Sequence, residues 1–515
     1  MKSIKQLATI TLSLLMTLLL AASALAAGEC SISIINNKPG HTYEAYQIFS
    51  GDLSNDNVLS NIEWGTGVKG TDLLAALQLA DASKYGSCTT AADVAKALSG
   101  ESGSPTAADI KAFAKIAAEH LKETATGTAN EPSEGKYTIS GLDTGYYLVK
   151  DKDNSLPEGS KDSYTRYIIQ VLGNVEIDPK SDVPSSEKKV KDINDSLTVT
   201  YGAWADTADH DIGDRIPFQL KAILPENYTD YETYTLTFHD IQSAGLTFDK
   251  DSVKVYINSK QVNTGYEVVT EGLSEDVTFE IRFADLKTVT AADGTKATNE
   301  SVITVEYEST LNDTAKIGAV GNPNDMYITF SNNPNGIGTG STPRDTVIVF
   351  TYKVDVDKVN NKQEPLSGAE FTLEKKITGE AGDRWEIVDV MGTEGNLTEF
   401  GFTGLDDGVY RLTETKTPTG YNTIDPIEFT VTATHDDATL ELTGLTGQVA
   451  TGDLQFTPDV QNGSLSVTVV NNQGSTLPET GGIGTTIFFV LGGALMVGAG
   501  VLLVVRIRMR AGNKE

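Results

Sequence analysis

Two sets of side chains in this sequence could together make a covalent bond. In YRLTETKTPTGY, residues 410–421, strand periodicity puts Tyr410, Leu412 and Glu414 on one face and Arg411, Thr413 and Thr415 on the other. The face with Tyr and Leu should be buried, so a carboxylate stands in line with core residues. The same parity carries Val354 and Val356 to Lys358, and Val467 and Val469 to Asn471. Upstream, Leu236 and Phe238 lead to Asp240, while Ile328 and Phe330 lead to Asn332. Lys188 shares parity with Val190, and its neighbour Lys189 competes for the same part. Each set offers a lysine on an opening strand, an asparagine on a closing strand and an acid between.

Burying the three groups separately would be costly. Together they can react. Desolvation lowers the lysine pKa and leaves a neutral amine, and it raises the carboxyl pKa and keeps a proton donor in place. The acid polarises the asparagine carboxamide, the amine attacks, and ammonia leaves. Fixing the partners replaces a bimolecular encounter, an effect worth roughly 7–11 kcal/mol in well-oriented systems. Parity alone leaves a second reading open, a hydrogen-bonded polar network in the core. No other constellation points to turnover. The five histidines (His41, His120, His210, His239, His435) have no metal-ligand or triad spacing. Neither a phosphate-binding glycine loop nor a nucleophile elbow occurs, so neither metal nor cofactor is expected.

Around these residues, the 515-residue chain has room for about three domains. Its net charge of −31 leaves no basic stripe for phosphates, which argues against nucleic-acid partners. Residues 1–27 read as a secretory signal, with Lys2 and Lys5 before an apolar run and Ala24, Leu25 and Ala26 at a small-residue cleavage site. Residues 28–183 mix strand and helix, PTAADIKAFAKIAAEHL being an amphipathic helix with Ile110, Phe113, Ala114, Ala117 and Leu121 on one face. Residues 184–345 and 346–474 are strand-like with glycine- and aspartate-rich turns. VEIDPKSDVPSSEKK and NNPNGIGTGSTPRD read as the links between domains. GLDTGYYLVKD, from Gly141, repeats as GLDDGVYRLTE, from Gly404, with Asp151 where Glu414 stands; EAYQIF and GAEFTL read as equivalent strands. The first and last domains are thus versions of one β-sandwich. SISIINN, the opening strand of the first, has no lysine in the matching place, so no such bond is expected there. Export permits a disulfide between the only two cysteines, Cys30 and Cys88; two unpaired thiols are the alternative.

Residues 475–515 hold STLPETGG, an apolar run and Arg506, Arg508 and Arg510. By composition alone this is a C-terminal membrane anchor. The order Leu477, Pro478, Glu479, Thr480, Gly481, apolar run and basic tail resembles the cell-wall sorting signal of Gram-positive surface proteins. In that family a sortase cleaves between Thr and Gly and passes the threonyl carbonyl to an amine.

KVNNKQEPLSGAEFTL, residues 358–373, followed by YRLTETKTPTGY, is similar to the Cna B-type domains of surface adhesins and pilins, and the second stretch matches the pilin E-box. FHDIQSAGLTF and YITFSNNPN resemble the middle domain of backbone pilins. The resemblance implies a mainly β chain of tandem Ig-like, Cna B-type sandwiches, the first with inserted helices. It implies isopeptide bonds from Lys358, Glu414 and Asn471 and from Lys188, Asp240 and Asn332. It also implies an acceptor lysine, which the Pro-Lys of VEIDPK places at Lys180, although Asp178 and Val171 stand where the family has Tyr and an aromatic. The expected product is a sortase-assembled pilus shaft, Thr480 of one subunit joined to Lys180 of the next. Its expected partners are polymerising and housekeeping sortases, further copies of itself, minor pilins, peptidoglycan and a host ligand. A wall-anchored adhesin or minor pilin that does not polymerise is the alternative; an enzyme on stalk domains lacks a catalytic constellation.

Overall fold

The computed structural model describes residues 29–54, 58–99, 106–178, 182–197, 202–379, 382–452, 454–474 and 483–511. The export signal, Lys180 and the LPETG residues 477–481 lie outside the described residues.

The N-terminal part sets the sheet Lys136–Leu142, Cys30–Ile35, Val175–Ile177 against the sheet Leu59–Trp64, Tyr43–Leu53, Gly145–Asp151, Arg166–Val171. In CSISII the alternation buries Cys30, Ile32 and Ile34 between the sheets, with Tyr137 beside them on the paired strand and Tyr43 and Tyr147 opposite. On the outer side, Phe49, Tyr46 and Leu148 pack under the helices Gly70–Ala80, Ala82–Tyr85, Ala91–Ser99 and Ala107–Glu119. The last helix starts at Thr106, whose hydroxyl accepts from the Asp109 amide at 3.2 Å in a capping box. It buries Phe113, Ala114 and Ala117, the face expected from its spacing.

The next sandwich joins two larger sheets. One runs Trp204–Ala205, Ser185–Lys191, Arg215–Ile223, Val302–Leu311, Leu246–Ile257, Lys260–Val262; the other contains Thr207–Asp209, Asp345–Phe350, Asn322–Ser331, Leu236–Gln242, Phe279–Phe283 and Glu267–Val269. Strict alternation in VITVEYESTL turns Ile303, Val305, Tyr307, Ser309 and Leu311 inward. The last sandwich stacks Glu399–Leu405, Tyr352–Asn360, Ser464–Asn471, Thr457–Asp459 on Arg384–Met391, Glu370–Ile377, Gly408–Lys416, Ile427–Asp436, Glu441–Val449. Here the first strand, Tyr352–Asn360, runs parallel to the last, Ser464–Asn471, with Lys358 opposite Val469 and Asn360 opposite Asn471. The sequence repeat has a structural counterpart: Asp151 pairs with Tyr43 as Glu414 pairs with Phe371, each at the inner face of its sheet.

Residues 332–345, expected as a link between domains, are ordered by pairing. Thr339–Ser341 pairs with Asn322–Ser331, and Ser160 bridges to Gly340. The strand Asp345–Phe350 that follows serves two cores at once, Val347 and Val349 entering the middle one and Ile348 and Phe350 the last. Its glycine-rich approach makes turns, and a period of two leaves no slack between the sandwiches. Nearby, loops of the two sandwiches touch backbone to backbone at Gly318 and Gly463, both at positive φ (+83° and +60°). A Cβ on Gly463 would come within 2.4 Å of Gly318 Cα. Gly463→Val should therefore push these loops apart and lower the melting temperature of the middle and C-terminal unit by several degrees. An unchanged calorimetric transition would show that the joint does not depend on this approach.

Candidate functional site

Glu414 occupies the inner face of GVYRLTETK because Tyr410, Leu412 and Glu414 follow one another at a period of two; they are 0%, 1% and 4% exposed. Lys358 and Asn471 come to it from the adjacent parallel strands, and both are fully buried. The Lys358 Nζ lies 2.5 Å from Asn471 Oδ1, and Asn471 Nδ2 donates to Glu414 Oε1 and Oε2 at 2.8 and 3.1 Å. Lys358 Nζ and Glu414 Oε1 are 3.9 Å apart. Thr417 Oγ1 and the Ile424 amide donate to Glu414 Oε2 at 3.3 and 3.2 Å and fix the carboxyl. Burial lowers the Lys358 pKa to about 8 against the opposing pull of Glu414. About a tenth of the amine is then neutral at pH 7. The cluster holds an amine, a carboxamide and a proton carrier in contact, with water excluded.

The middle sandwich holds a second cluster of different membership. Lys188, on Ser185–Lys191, is fully buried, and its Nζ lies 2.5 Å from Asp240 Oδ2. Lys189 points out of the core to Asp206, 2.6 Å away. Burial lowers the Lys188 pKa, opposed by Asp240, and raises that of Asp240, opposed by Lys188. Asn332 is not there. It lies beyond the end of Asn322–Ser331, and its Nδ2 donates to the Asp162 carbonyl of the first sandwich at 3.0 Å. Asn324, inward-facing on Asn322–Ser331, stands near Lys188 instead: its Nδ2 donates to Tyr307 Oη at 2.9 Å, and Lys188 Nζ donates to the Asp325 carbonyl at 3.3 Å and to Tyr307 at 3.1 Å. The inward parity offers three asparagines, Asn322, Asn324 and Asn332, the last about 26 Å beyond Asn324 along an extended chain. The ladder chooses among them, because Asp240 pairs with Met326 and Gln242 with Asn324.

In the first sandwich Asp151 meets a histidine. His41 Nδ1 lies 2.6 Å from Asp151 Oδ1 and its Nε2 3.1 Å from Asp162 Oδ2, with Lys38 2.9 Å from the same Asp162 oxygen. Burial disfavours charge on His41, but the bonds to Asp151 and Asp162 outweigh it and raise the pKa to about 9. Cys30 and Cys88 are free thiols in separate cores, Cys30 between the sheets and Cys88 under the helices, which is the second of the two readings open in the sequence. Burial raises both thiol pKa values.

A third buried lysine went unnoticed in the sequence. Lys375 lies 2.6 Å from Asp406 of its own sandwich and reaches across the joint to Asp211 and, at 3.6 Å, to Asp195 of the middle one. Burial opposes its charge, yet Asp406 and Asp211 raise its pKa. It is a locked ammonium, the electrostatic opposite of Lys358.

The apolar C-terminal run forms the helix Ile483–Ala511, of which Thr486–Met509 has a mean hydropathy of 2.6 and is long enough to cross a membrane. Residues 469–508 match the LPXTG cell wall anchor motif, and residues 352–446 match the SpaA prealbumin-like fold domain. The chain is 25% identical over 404 residues to the trypsin-resistant surface T6 protein of Streptococcus pyogenes serotype M6, covering 64% of this chain and 69% of that one. The solved T6 backbone pilin of the same organism superposes with a TM-score of 0.50 at 18% identity, over 87% of this chain and 98% of the other. The full-length major pilin SpaD of Corynebacterium diphtheriae gives 0.46 at 19% identity, over 87% and 98%. The chain is a wall-anchored cell-surface protein with the modular fold of Gram-positive backbone pilins.

His41 carries a pH prediction. Its folded pKa of about 9 lies above the ordinary 6.5, so its stabilising contribution is fully present below pH 6.5 and is lost as pH rises through 9. The melting temperature of the first sandwich should fall across that window, and His41→Gln should flatten the dependence. A wild-type profile without that fall would mean His41 is not charged in the fold.

Proposed function

We propose that this chain is the shaft subunit of a covalently polymerised surface pilus. Its last two sandwiches are closed by Lys-Asn isopeptide bonds, and a sortase joins Thr480 of one subunit to a lysine of the next. The observation that carries this reading is the buried contact of Lys358, Glu414 and Asn471, which lies across the first and last strands of the C-terminal sandwich.

The chemistry follows from the contacts. The neutral Lys358 amine attacks Asn471 Cγ, and the carbonyl π pair moves to Oδ1. Glu414, in contact with Nδ2, passes a proton to that nitrogen and recovers one from the attacking amine. The Cγ–Nδ2 bond breaks and ammonia departs, leaving one amide. In the middle sandwich the same roles fall to Lys188, Asp240 and Asn324, with Asn324 replacing Asn332 as the electrophile. No substrate is turned over; each reaction happens once per molecule.

At the chain ends, the LPETG residues and the hydrophobic helix with its basic tail are suited to holding the subunit at the membrane until a sortase cleaves after Thr480. The acceptor is Lys180, in the Pro-Lys step before the middle sandwich. Sortases, further copies of the chain and peptidoglycan are the partners this reading requires, with minor pilins and a host ligand as further ones.

Intact-mass spectrometry of the mature chain should find it lighter than its sequence by two molecules of ammonia. Glu414→Ala should restore one and Asn324→Ala the other, whereas Asn332→Ala should restore neither. Loss of the C-terminal bond opens a loop of 113 residues between Lys358 and Asn471. By the chain-entropy account made for disulfides, that should cost about 4–5 kcal/mol. A wild-type mass equal to the sequence mass would sink both bonds.

Polymerisation has its own test. Lys180→Arg keeps the charge and removes the amine, so the high-molecular-mass ladder in wall extracts should collapse to monomer. A persistent ladder would move the acceptor to another lysine; a wild-type chain found only as monomer would favour the non-polymerising surface protein.

A further inference from the structure

We propose that Tyr307 is the positioning residue of the middle-sandwich reaction, its hydroxyl holding the acid and the carboxamide on either side of the Lys188 amine; this rests on the bond proposed above. Tyr307 is 2% exposed, and Lys188, Asp240 and Asn324 are 0% exposed. The Tyr307 hydroxyl donates to Asp240 Oδ2 at 2.8 Å. It faces three donors: Asn324 Nδ2 at 2.9 Å, Lys188 Nζ at 3.1 Å and Gln242 Nε2 at 3.4 Å. A hydroxyl has two acceptor sites, so one donor is in excess. Meanwhile Asp240 Oδ1 and Asn324 Oδ1 have no hydrogen-bond partner. Such orphans are uncommon in a folded core, and a proton carried on Asp240 is the donor that both lack.

Reaction relieves this imbalance. Lys188 Nζ bonds to Asn324 Cγ, the Cγ–Nδ2 bond breaks, and Nδ2 leaves as ammonia with the proton taken from the amine and relayed by Asp240. The surplus donor at Tyr307 is the atom that departs. Before that, the hydroxyl keeps Nδ2 turned toward the acid side and holds Asp240 by Oδ2. In the C-terminal cluster Thr417 and the Ile424 amide hold the acid, so a tyrosine is not needed there. The Tyr307 ring is stacked on Phe218 (centroids 5.3 Å apart) and meets Phe279 edge-on at 4.9 Å. That packing lets the hydroxyl be removed without moving the ring.

The test is Tyr307→Phe in the full mature chain, following the crosslinked Lys188–Asn324 peptide by mass spectrometry from synthesis onward. The crosslink should form at least tenfold more slowly than in the wild type, and the Lys358–Asn471 crosslink of the same molecules should keep its normal rate. A double-mutant comparison separates positioning from packing. In an Asp240→Ala background, which cannot react, adding Tyr307→Phe should leave the melting temperature nearly unchanged. Crosslinking at the wild-type rate, an equal loss of melting temperature in both backgrounds, or a middle sandwich that fails to fold would each overturn the positioning role. If the wild-type chain lacks the Lys188–Asn324 crosslink, the bond itself fails, an outcome read from the wild type alone.

Discussion

An ammonium ion inside a β-sandwich has lost its water, and the fold must return an equivalent interaction or remove the charge. Three buried lysines among the described residues meet that constraint in two ways. Lys375 is surrounded by Asp406, Asp211 and Asp195 and stays charged, as a salt link between sandwiches. Lys358 lies beside Glu414 and Asn471, and Lys188 beside Asp240 with a weaker pull from Asp325 and Asp345; burial drives both pKa values down. The balance between burial and the nearby carboxylates decides which way the pKa moves. Where the carboxylates prevail the amine stays a cation; where burial prevails it gives up its proton more readily, as the proposed bond requires.

The first and last sandwiches show how a small change redirects one scaffold. Asp151 and Glu414 occupy equivalent strand positions, and both are buried. Around Glu414, parallel pairing of the first and last strands delivers an amine and an amide. At Asp151 the neighbouring side chain is the His41 imidazole, which Asp162 also binds. Imidazole held between two carboxylates is charged over the whole neutral range, so that site is a lasting ionic clasp. Its third neighbour, Asp162, lends its backbone carbonyl to Asn332 of the next sandwich. The clasp therefore also anchors the joint.

Much of this was legible in the sequence, because a period of two is unambiguous wherever one face is packed. It placed Glu414, Lys358, Asn471, Lys188 and Asp240 inward, and it found the helix over residues 107–119. Parity says which face a residue takes and nothing about how far along the strand its partner stands. That is why Asn332 was singled out when Asn324, on the same face, lies beside the cluster. Tyr307 was hidden for a related reason: in VITVEYESTL a tyrosine among inward aliphatics reads as core, and only the three-dimensional contacts of its hydroxyl separate it from Tyr234 or Tyr228. The glycines and prolines of residues 332–345 mark a link between domains, and turns that fold back onto a sheet use the same residues. Cys30 and Cys88 share an oxidising compartment and a domain; two distinct cores, separated by the sheet of Tyr43–Leu53, keep them apart.

Under the proposed linkage, a pull on the fibre would enter each subunit at Lys180 and leave at Thr480. Residues before Lys180 then lie outside the loaded stretch of chain, and those are the residues of the sandwich that carries the ionic clasp. Both loaded sandwiches carry a reactive cluster, and each bond would connect the strand where force enters to a strand near where it leaves. Between the two bonds the load must cross residues 325–357 without covalent help. That stretch contains Asp345–Phe350, whose alternate side chains are buried in two different cores, and it lies beside the joint locked by Lys375. To extend there, the chain would have to pull Val347 and Val349 from one core together with Ile348 and Phe350 from the other. The weakest part of the load path is thus guarded by packing on both faces of one strand, the arrangement in which β-structure resists slipping best.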